Sequence, residues 1–161
     1  MAKRTNLREF QQSLNDRMQD KSRKGSQLSL LGVEIAGRNY LVEMTDVSEV
    51  LPLPPLTVVP LTKSWFRGVA NVRGNLYCVS DVAEFLNAGV ATGAPTNRLL
   101  LVAERHAVNA ALLVDRVFGL RDTTRWQRDA SGQYFDEQGG AWRKLDVAGM
   151  LVRPDFLQIG I

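Results

Sequence analysis

Hydrophobic residues follow two different spacings along this chain, one helical and one typical of β-strands. The helical spacing occupies the N-terminus, where Asn6 and Glu9 form a capping box and one apolar stripe runs through Leu7, Phe10, Leu14 and Met18. This pattern predicts a helical extension over residues 1–26. Its apolar side has three candidate roles: packing on the body of the protein, binding a partner, or lying on a membrane surface. The narrow stripe without Trp disfavours the last.

From residue 27 onward, short apolar-rich runs bounded by glycine and proline predict β-strands. In the first half the predicted strands are residues 28–36, 39–44, 47–51, 68–73 and 76–79. Two pairs of these strands form hairpins, with turns at Gly37-Arg38 and Gly74-Asn75. The third strand ends at Pro52, because proline cannot donate to a strand ladder. Asp81 caps a short helix over residues 81–86.

The second half resumes the strand signal after residues 87–97, a loop or crossing rich in Gly, Ala, Thr and Pro. Its predicted strands are residues 98–104, 108–114, 117–122 and 142–145, with a turn at Arg105-His106. Residues 127–140 are polar and contain glycine without strand alternation, so we expect an exposed loop there. A short helix over residues 146–151 follows the last strand.

The two halves echo each other in order and spacing. The matched features are the helix starts at Asp81 and Asp146, the turns at Gly37 and Arg105, and the aspartates Asp46 and Asp115. We infer a duplicated unit of about five strands and one helical turn, which closes most easily as a small barrel because closure hides the sheet edges. The prediction is a mainly β fold of two barrels sharing a core, the first over residues 27–87 and the second over residues 97–152.

Composition places the chain among globular proteins and limits its partners. Of 161 residues, 45% are hydrophobic and 23% are charged, as in folded domains, and no run approaches the roughly 18 apolar residues of a transmembrane helix. Residues 1–25 contain seven Lys/Arg and three Asp/Glu, so the net charge of +3 belongs to the extension. Nucleic-acid binding needs basic residues on the body and is disfavoured. One cysteine and no secretory leader predict a cytoplasmic protein.

No catalytic or metal-binding constellation stands out in the sequence. His106 is the only histidine, and we expect it in a surface turn; Cys78 lies in an apolar strand, where a buried, inert thiol is usual. No Cys or His pair supplies metal-ligand spacing, and the glycine-rich stretches lack a phosphate-loop lysine. Nothing selects a catalytic pair among Glu43, Asp46 and Glu49. We predict a protein without catalytic activity, cofactor or metal.

The remaining candidate is a recognition segment over residues 68–74. Gly68 and Gly74 permit backbone geometries or close approaches that other residues resist, and Asn71 and Arg73 are polar residues in an otherwise apolar hairpin. Composition leaves two interpretations open. Either Asn71 satisfies a turn and Arg73 is merely solvated, or Arg73 is a planar, multi-donor anchor of the kind enriched at interfaces.

This segment resembles the signature of a known family. The order Gly-x-x-Asn-x-Arg-Gly, followed by a strand that ends at Asp81, is similar to that of CheW-like chemotaxis coupling domains. Upstream features match in the same order: Tyr40, residues 47–50, Val59-Pro60 and Trp65-Phe66. The resemblance covers residues 28–151, closely as far as residue 86 and loosely beyond it. The long N-terminal extension and the run from Gly139 to Trp142 together resemble the PilI type of these proteins.

The resemblance implies a fold, a function and partners. The family's fold is a pair of five-stranded SH3-like barrels sharing a core, here over residues 27–157. Its members are non-catalytic adaptors that couple methyl-accepting chemotaxis receptors to a CheA-type histidine kinase in cytoplasmic arrays. The PilI type serves systems that control type IV pili and twitching motility, with flagellar chemotaxis as the alternative. By position, the resemblance assigns partner binding to Val47, Glu49, Gly68, Asn71, Arg73 and Gly74. We expect a monomer without direct membrane insertion.

Overall fold

Residues 30–91 and 93–161, which the computed structural model describes, form eleven strands in two sheets and three short helices. The mainly β fold is therefore confirmed, whereas the predicted helix over residues 1–26 lies outside the described residues. The strands are β1 (Leu30–Ile35), β2 (Arg38–Glu43), β3 (Val47–Pro52), β4 (Phe66–Val72), β5 (Asn75–Asp81), β6 (Arg98–Val102), β7 (Ala110–Val114), β8 (Arg116–Arg121), β9 (Gln127–Arg128), β10 (Tyr134–Phe135) and β11 (Ala141–Lys144). The helices are α1 (Val82–Phe85), α2 (Val147–Leu151) and α3 (Pro154–Leu157), and 3₁₀ turns cover Met44–Asp46 and Glu104–His106.

Strand pairing interleaves the two halves of the chain. The first sheet has the order β8-β1-β2-β11-β10-β9, and the second has the order β3-β6-β7-β5-β4. Each sheet therefore combines a hairpin from one half, β1–β2 or β6–β7, with the later strands of the other half. We call the barrel formed by the first sheet the first barrel, and the barrel formed by the second sheet the second barrel. The division expected between residues 87 and 97 does not separate the two sheets, and the first sheet has six strands rather than five.

Two parallel pairings complete this exchange. β2 pairs with β11 and β5 pairs with β7 in parallel, whereas the neighbouring pairs in both sheets are antiparallel. Parallel neighbours cannot be joined by a tight hairpin, because the chain must return to the same end of the sheet. Between β2 and β11 the chain forms the whole second sheet, whereas between β5 and β7 it passes through α1, the crossing after it and β6 of the same sheet. The first of these returns interleaves the two sheets in the sequence.

Strands β6 and β7 lie between two cores, which explains their unbroken apolar sequences. Leu99 and Leu101 pack inside the second barrel, whereas Leu100 and Val102 pack in a core shared with the first sheet. A strand buried on both faces loses its polar alternation. The shared core also contains Val33, Ile35, Tyr40, Val42, Leu112, Val114, Met150, Leu151 and Phe156. The first barrel has its own interior of Leu30, Leu41 and Trp142, with Phe118, Trp126 and Tyr134 packed against it.

Two buried aspartates tie each half of the chain to the hairpin turn of the other half. Asp115 accepts a 2.7 Å hydrogen bond from the backbone N–H of Ala36, in the β1–β2 turn. Asp46 reciprocates at the β6–β7 turn, where its Oδ1 contacts Arg105 and lies 2.8 Å from His106 Nε2. Asp46 and Asp115, which were matched in the sequence, therefore have equivalent roles in the structure. His106 lies in the predicted turn, but its ring is mostly covered and bonded to a carboxylate.

Both helices predicted to begin at a capping aspartate do so. Asp81 accepts from the N–H of Glu84, and Asp146 accepts a 2.9 Å bond from the N–H of Gly149. These bonds satisfy backbone donors that have no partner within the helix. Both helices are very short, and among the described residues none is long and apolar enough to cross a membrane.

One local prediction needs correction, and two features near the C-terminus were not predicted. The segment over residues 127–140 is not wholly a loop: β9 and β10 pair within it, because Asp129 and Asp136 organise tight turns through side-chain bonds to nearby N–H groups. Helix α3 was not predicted; it begins at Pro154, whose fixed φ suits a first helical position. The segment after it returns to pair Gly160 with Thr62.

Candidate partner-binding surface

The turn between β4 and β5 presents Arg73 at the end of the second barrel. Arg73 and Gly74 occupy its two central positions with φ of 51° and 86°, the pair of left-handed residues that defines a type I′ hairpin turn. The turn therefore lies one residue earlier than the predicted Gly74-Asn75. Asn71 supports it by accepting a 2.9 Å bond from the N–H of Gly74. This bond and the geometry of the turn hold Arg73 in the left-handed backbone conformation, which L-residues rarely adopt.

Arg73 forms a two-pronged ion pair with Glu49 on β3. Arg73 Nη1 donates to Glu49 Oε1 at 3.1 Å, and Nη2 contacts Oε2. β3 and β4 are the two edges of the second sheet, so the pair joins both edges where the sheet curves toward closure. The bond from Arg73 lowers the pKa of the Glu49 carboxyl and raises the pKa of Arg73. Both side chains are exposed, which makes the pair a weak source of stability.

Gly68 has a structural role rather than a surface one. Its φ is 133°, and a Cβ atom there would lie 2.3 Å from the carbonyl oxygen of Thr57. Thr57 exchanges two backbone bonds of 2.9 Å with Val69, so the connector after β3 lies directly against β4. Only glycine allows this approach. Gly74 differs, since a Cβ atom at Gly74 would meet nothing within 4 Å and only its φ favours glycine.

Val47 is buried in this structure, so the structure does not place it on the surface that the resemblance implies. Its side chain is 7% exposed and belongs to the shared core. The pairing of β3 with β6 is irregular between Val47 and Glu49, which is the signature of a bulge that changes the facing of side chains. Of the two β3 residues assigned by resemblance, the structure therefore leaves only Glu49 accessible to a partner.

Leu76 is an exposed neighbour that was not among the predicted partner-binding residues. It is 59% exposed and is the register partner of Asn71, so the two side chains lie on the same face of the hairpin. Alternation along β5 could have revealed it, because Tyr77 and Val79 pack in the second barrel. We define the Arg73 surface as Glu49, Asn71, Arg73, Gly74 and Leu76.

Cys78 is exposed, which contradicts the buried thiol expected from its apolar strand. The acidic residues that sequence alone could not sort each contact a cation: Glu43 contacts Lys144, Asp46 contacts Arg105 and Glu49 contacts Arg73. Residues 30–91 and 93–161 contain no group of three or more His, Cys, Asp or Glu side chains placed to hold a metal ion. The arrangement on the Arg73 surface is suited to binding a protein through charge and apolar contact.

Comparison with known proteins gives this surface a context. A family model described as the CheW-like domain matches residues 29–151. The chain is 40% identical to protein PilI of Pseudomonas aeruginosa over 91 residues, which is 56% of this chain and 51% of PilI. It is 38% identical to protein FrzA of Myxococcus xanthus over 50% of this chain and 49% of FrzA. The chain thus matches about half the length of these two curated relatives.

The fold agrees with that family. Chemotaxis protein CheW of Thermotoga maritima is 27% identical over 64% of this chain and 67% of its own length. The crystal structure of the scaffolding protein TtCheW from Thermoanaerobacter tengcongensis superposes with a TM-score of 0.67 at 18% identity, covering 82% of this chain and 97% of TtCheW. The predicted pair of SH3-like barrels is confirmed at the level of the fold. With a family model spanning most of its residues and a matching architecture, this chain belongs to the CheW-like domain family.

Proposed function

We propose that this protein is a non-catalytic adaptor that couples chemoreceptors to a CheA-type histidine kinase in a chemosensory system. The observation that carries the proposal is the CheW-like match over residues 29–151. Two of the relatives are named for chemotaxis or scaffolding, and an adaptor needs surfaces rather than a reaction centre. The proposed location is the cytoplasm, where the signalling ends of receptors and the kinase meet.

The Arg73 surface is the proposed site of contact with one of these partners. Arg73 is held by its turn and by Glu49, so little side-chain freedom is lost when a partner binds. Its guanidinium is planar and still exposed, and Leu76 adds an apolar contact beside it. Arginine is enriched among the residues that dominate binding energy at interface centres, and the exposed leucine beside it adds apolar area that a partner would cover.

Reconstitution tests this assignment. The full chain is mixed with its cognate receptor's cytoplasmic fragment and CheA-type kinase, and kinase autophosphorylation is measured with and without receptor. We expect Arg73→Ala to lower receptor-dependent kinase activity by about tenfold, since losing an interface arginine typically costs about 1–2 kcal/mol. The circular dichroism spectrum and melting temperature of this variant should match those of the wild type.

Arg116→Ala is the matched control, because Arg116 is also exposed and pairs with a glutamate, Glu34, but lies on the first sheet. It should leave coupling unchanged. Full receptor coupling by a folded Arg73→Ala protein would remove Arg73 from the site. Failure of the wild-type chain to join receptor and kinase at all would instead refute the adaptor function.

We further propose that the system served is of the PilI type and controls type IV pilus twitching. The 40% identity to PilI, against 27% to the Thermotoga CheW, supports this choice. Deleting the gene should abolish twitching zones on agar and leave swimming intact. A swimming defect with normal twitching would assign the protein to flagellar chemotaxis.

A further inference from the structure

A basic cleft lies on the first barrel, on a different sheet from the Arg73 surface. Two hollows of about 340 and 620 Å³ flank the junction of β2 and β11. Both are lined by Arg38, Tyr40 and Arg143, so the two hollows adjoin at these residues. Together they offer more room than a single small ion fills, which suits a segment of chain.

Strand register explains why the two arginines converge. β2 and β11 are parallel, and Arg143 is the direct partner of Tyr40. Because side chains alternate along strands, Arg38, two residues before Tyr40, lies on the same face as Arg143. Arginines far apart in sequence therefore become diagonal neighbours on one surface.

The charge of the cleft is uncompensated. Neither Arg38 nor Arg143 makes an ion pair or side-chain hydrogen bond with any described residue, and neither hollow is lined by Asp or Glu. Five arginines elsewhere in the described residues contact an acid: Arg67, Arg73, Arg105, Arg116 and Arg153. Two cationic side chains on one face of a sheet, in hollows without an acid in their lining, favour an anionic ligand.

Tyr40 adds a hydroxyl to the cleft. The residue is only 8% exposed, but its hydroxyl is not among the buried side-chain atoms that lack a partner. The hydroxyl is therefore accessible from the cleft and makes no hydrogen bond with a described residue. Tyr40 lines both hollows, so a ligand in the cleft can accept a hydrogen bond from this hydroxyl as well as those of the arginines.

We propose that this cleft binds an acidic peptide segment of a protein partner, through carboxylates held between Arg38 and Arg143 and a hydrogen bond from Tyr40. The chain's own N-terminal 25 residues are not the occupant, because seven Lys/Arg against three Asp/Glu make them basic. The segment belongs to another protein. This site goes beyond the proposed coupling function and does not depend on it, since its test needs neither receptor nor kinase.

Fluorescence anisotropy of a fluorescein-labelled hexaglutamate peptide, titrated with the full chain at low salt, tests the proposal. The wild type should bind, and Arg38→Ala/Arg143→Ala should weaken binding by about tenfold, because two exposed charge contacts are lost. Tyr40→Phe should weaken it by about threefold, the effect of one hydrogen bond. Thermal melts establish that each variant is folded.

The double variant Arg116→Ala/Arg125→Ala removes the same charge elsewhere on the body and should bind like the wild type. Equal weakening in both double variants would mean attraction by overall charge and would overturn the proposal. Unchanged binding after Arg38→Ala/Arg143→Ala would place the peptide on the basic N-terminus and would overturn it as well. If inorganic phosphate binds at Arg38 and Arg143 while hexaglutamate does not, the site takes a small anion and the peptide assignment is wrong.

Discussion

The two barrels share one plan but are filled differently. The second barrel has long strands around small aliphatic side chains such as Ala70, Val79 and Leu99, whereas the first has short outer strands around Trp142 and its aromatic neighbours. Each barrel ends in a helix capped by an aspartate, but Asp81 is completely buried and Asp146 is exposed. Backbone signals such as caps and turns therefore recur in both barrels, whereas the interior side chains differ.

The difference at the caps shows how one local motif acquires a second role. Besides capping α1, Asp81 accepts 2.9 Å bonds from Arg67 and from the N–H of Ala91. It thereby joins β4, the helix and the start of the crossing between halves. The carboxylate of Asp146 makes only the local bond to Gly149 among the contacts with described residues. A helix cap needs only one hydrogen bond to a nearby N–H. A buried carboxylate needs several partners, because an unpaired charge in the interior is costly.

Substitutions in the barrel interiors should cause the largest losses of stability. Trp142→Ala should lower the free energy of unfolding by about 4 kcal/mol and Leu99→Ala by about 3 kcal/mol, in line with large-to-small core substitutions. The loss should be larger for the aromatic interior, because Trp142 packs against Phe118 and Trp126 and its indole N–H donates a hydrogen bond to Asp136. Urea unfolding followed by far-UV circular dichroism measures both. A smaller loss for Trp142→Ala would mean that the aromatic filling collapses around the gap.

Removing the two capping aspartates should give a larger difference in the free energy of unfolding than the two core substitutions do. Asp81→Ala should lower the free energy of unfolding by about 3 kcal/mol, because it leaves Arg67 and the partly buried N–H of Ala91 without an acceptor. Asp146→Ala should cost about 1 kcal/mol, the usual value of a helix N-cap. Chemical denaturation of the two variants in parallel makes the comparison. Equal losses would show that Asp81 acts only as a cap.

Acid sensitivity should be concentrated in the first barrel. Bonds from Trp142 and from the N–H of Gly140 lower the pKa of Asp136 below its ordinary 3.8. A carboxyl with a depressed folded-state pKa stabilises the fold above its unfolded pKa, and this contribution is lost as the pH falls through the folded value. We expect tryptophan fluorescence to report loosening of the first barrel below about pH 3.8, and Asp136→Asn to remove that step.

Asp155→Asn is the matched control, because the pKa of Asp155 is also lowered, by Arg153, but the residue lies in the first turn of α3, outside the first barrel. It should leave the fluorescence step in place. If Asp155→Asn rather than Asp136→Asn removed the step, the acid-sensitive element would be the C-terminal helix.

The features that sequence patterns predicted correctly are those that depend on residues close together in the chain. The β1–β2 hairpin, the strand β3 and the capped starts of α1 and α2 follow from alternation, proline and aspartate in short windows. The reciprocal aspartates Asp46 and Asp115 were found as an echo, although their partners were not.

Features that depend on distant partners escaped prediction. Interleaving could not be foreseen because any apolar strand can pair with any other, and local pattern does not specify the neighbour. The bulge after Val47 turns its side chain into the core, although it was expected on the surface. The need for glycine at position 68 arises because Thr57, eleven residues earlier, lies directly against it. The basic cleft was missed for the same reason, since only the parallel pairing of β2 with β11 brings Arg38 to Arg143.

Interleaving also decides how this protein can be cut and recombined. Because each barrel takes a hairpin from one half and its remaining strands from the other, neither half contains a complete barrel. A protease cut within the crossing between β5 and β6 would leave two fragments clasped together rather than two independent domains. Exchange of whole halves between relatives would place foreign strands side by side in both barrels. For this architecture, the unit that can be inherited or transplanted intact is the whole pair of barrels.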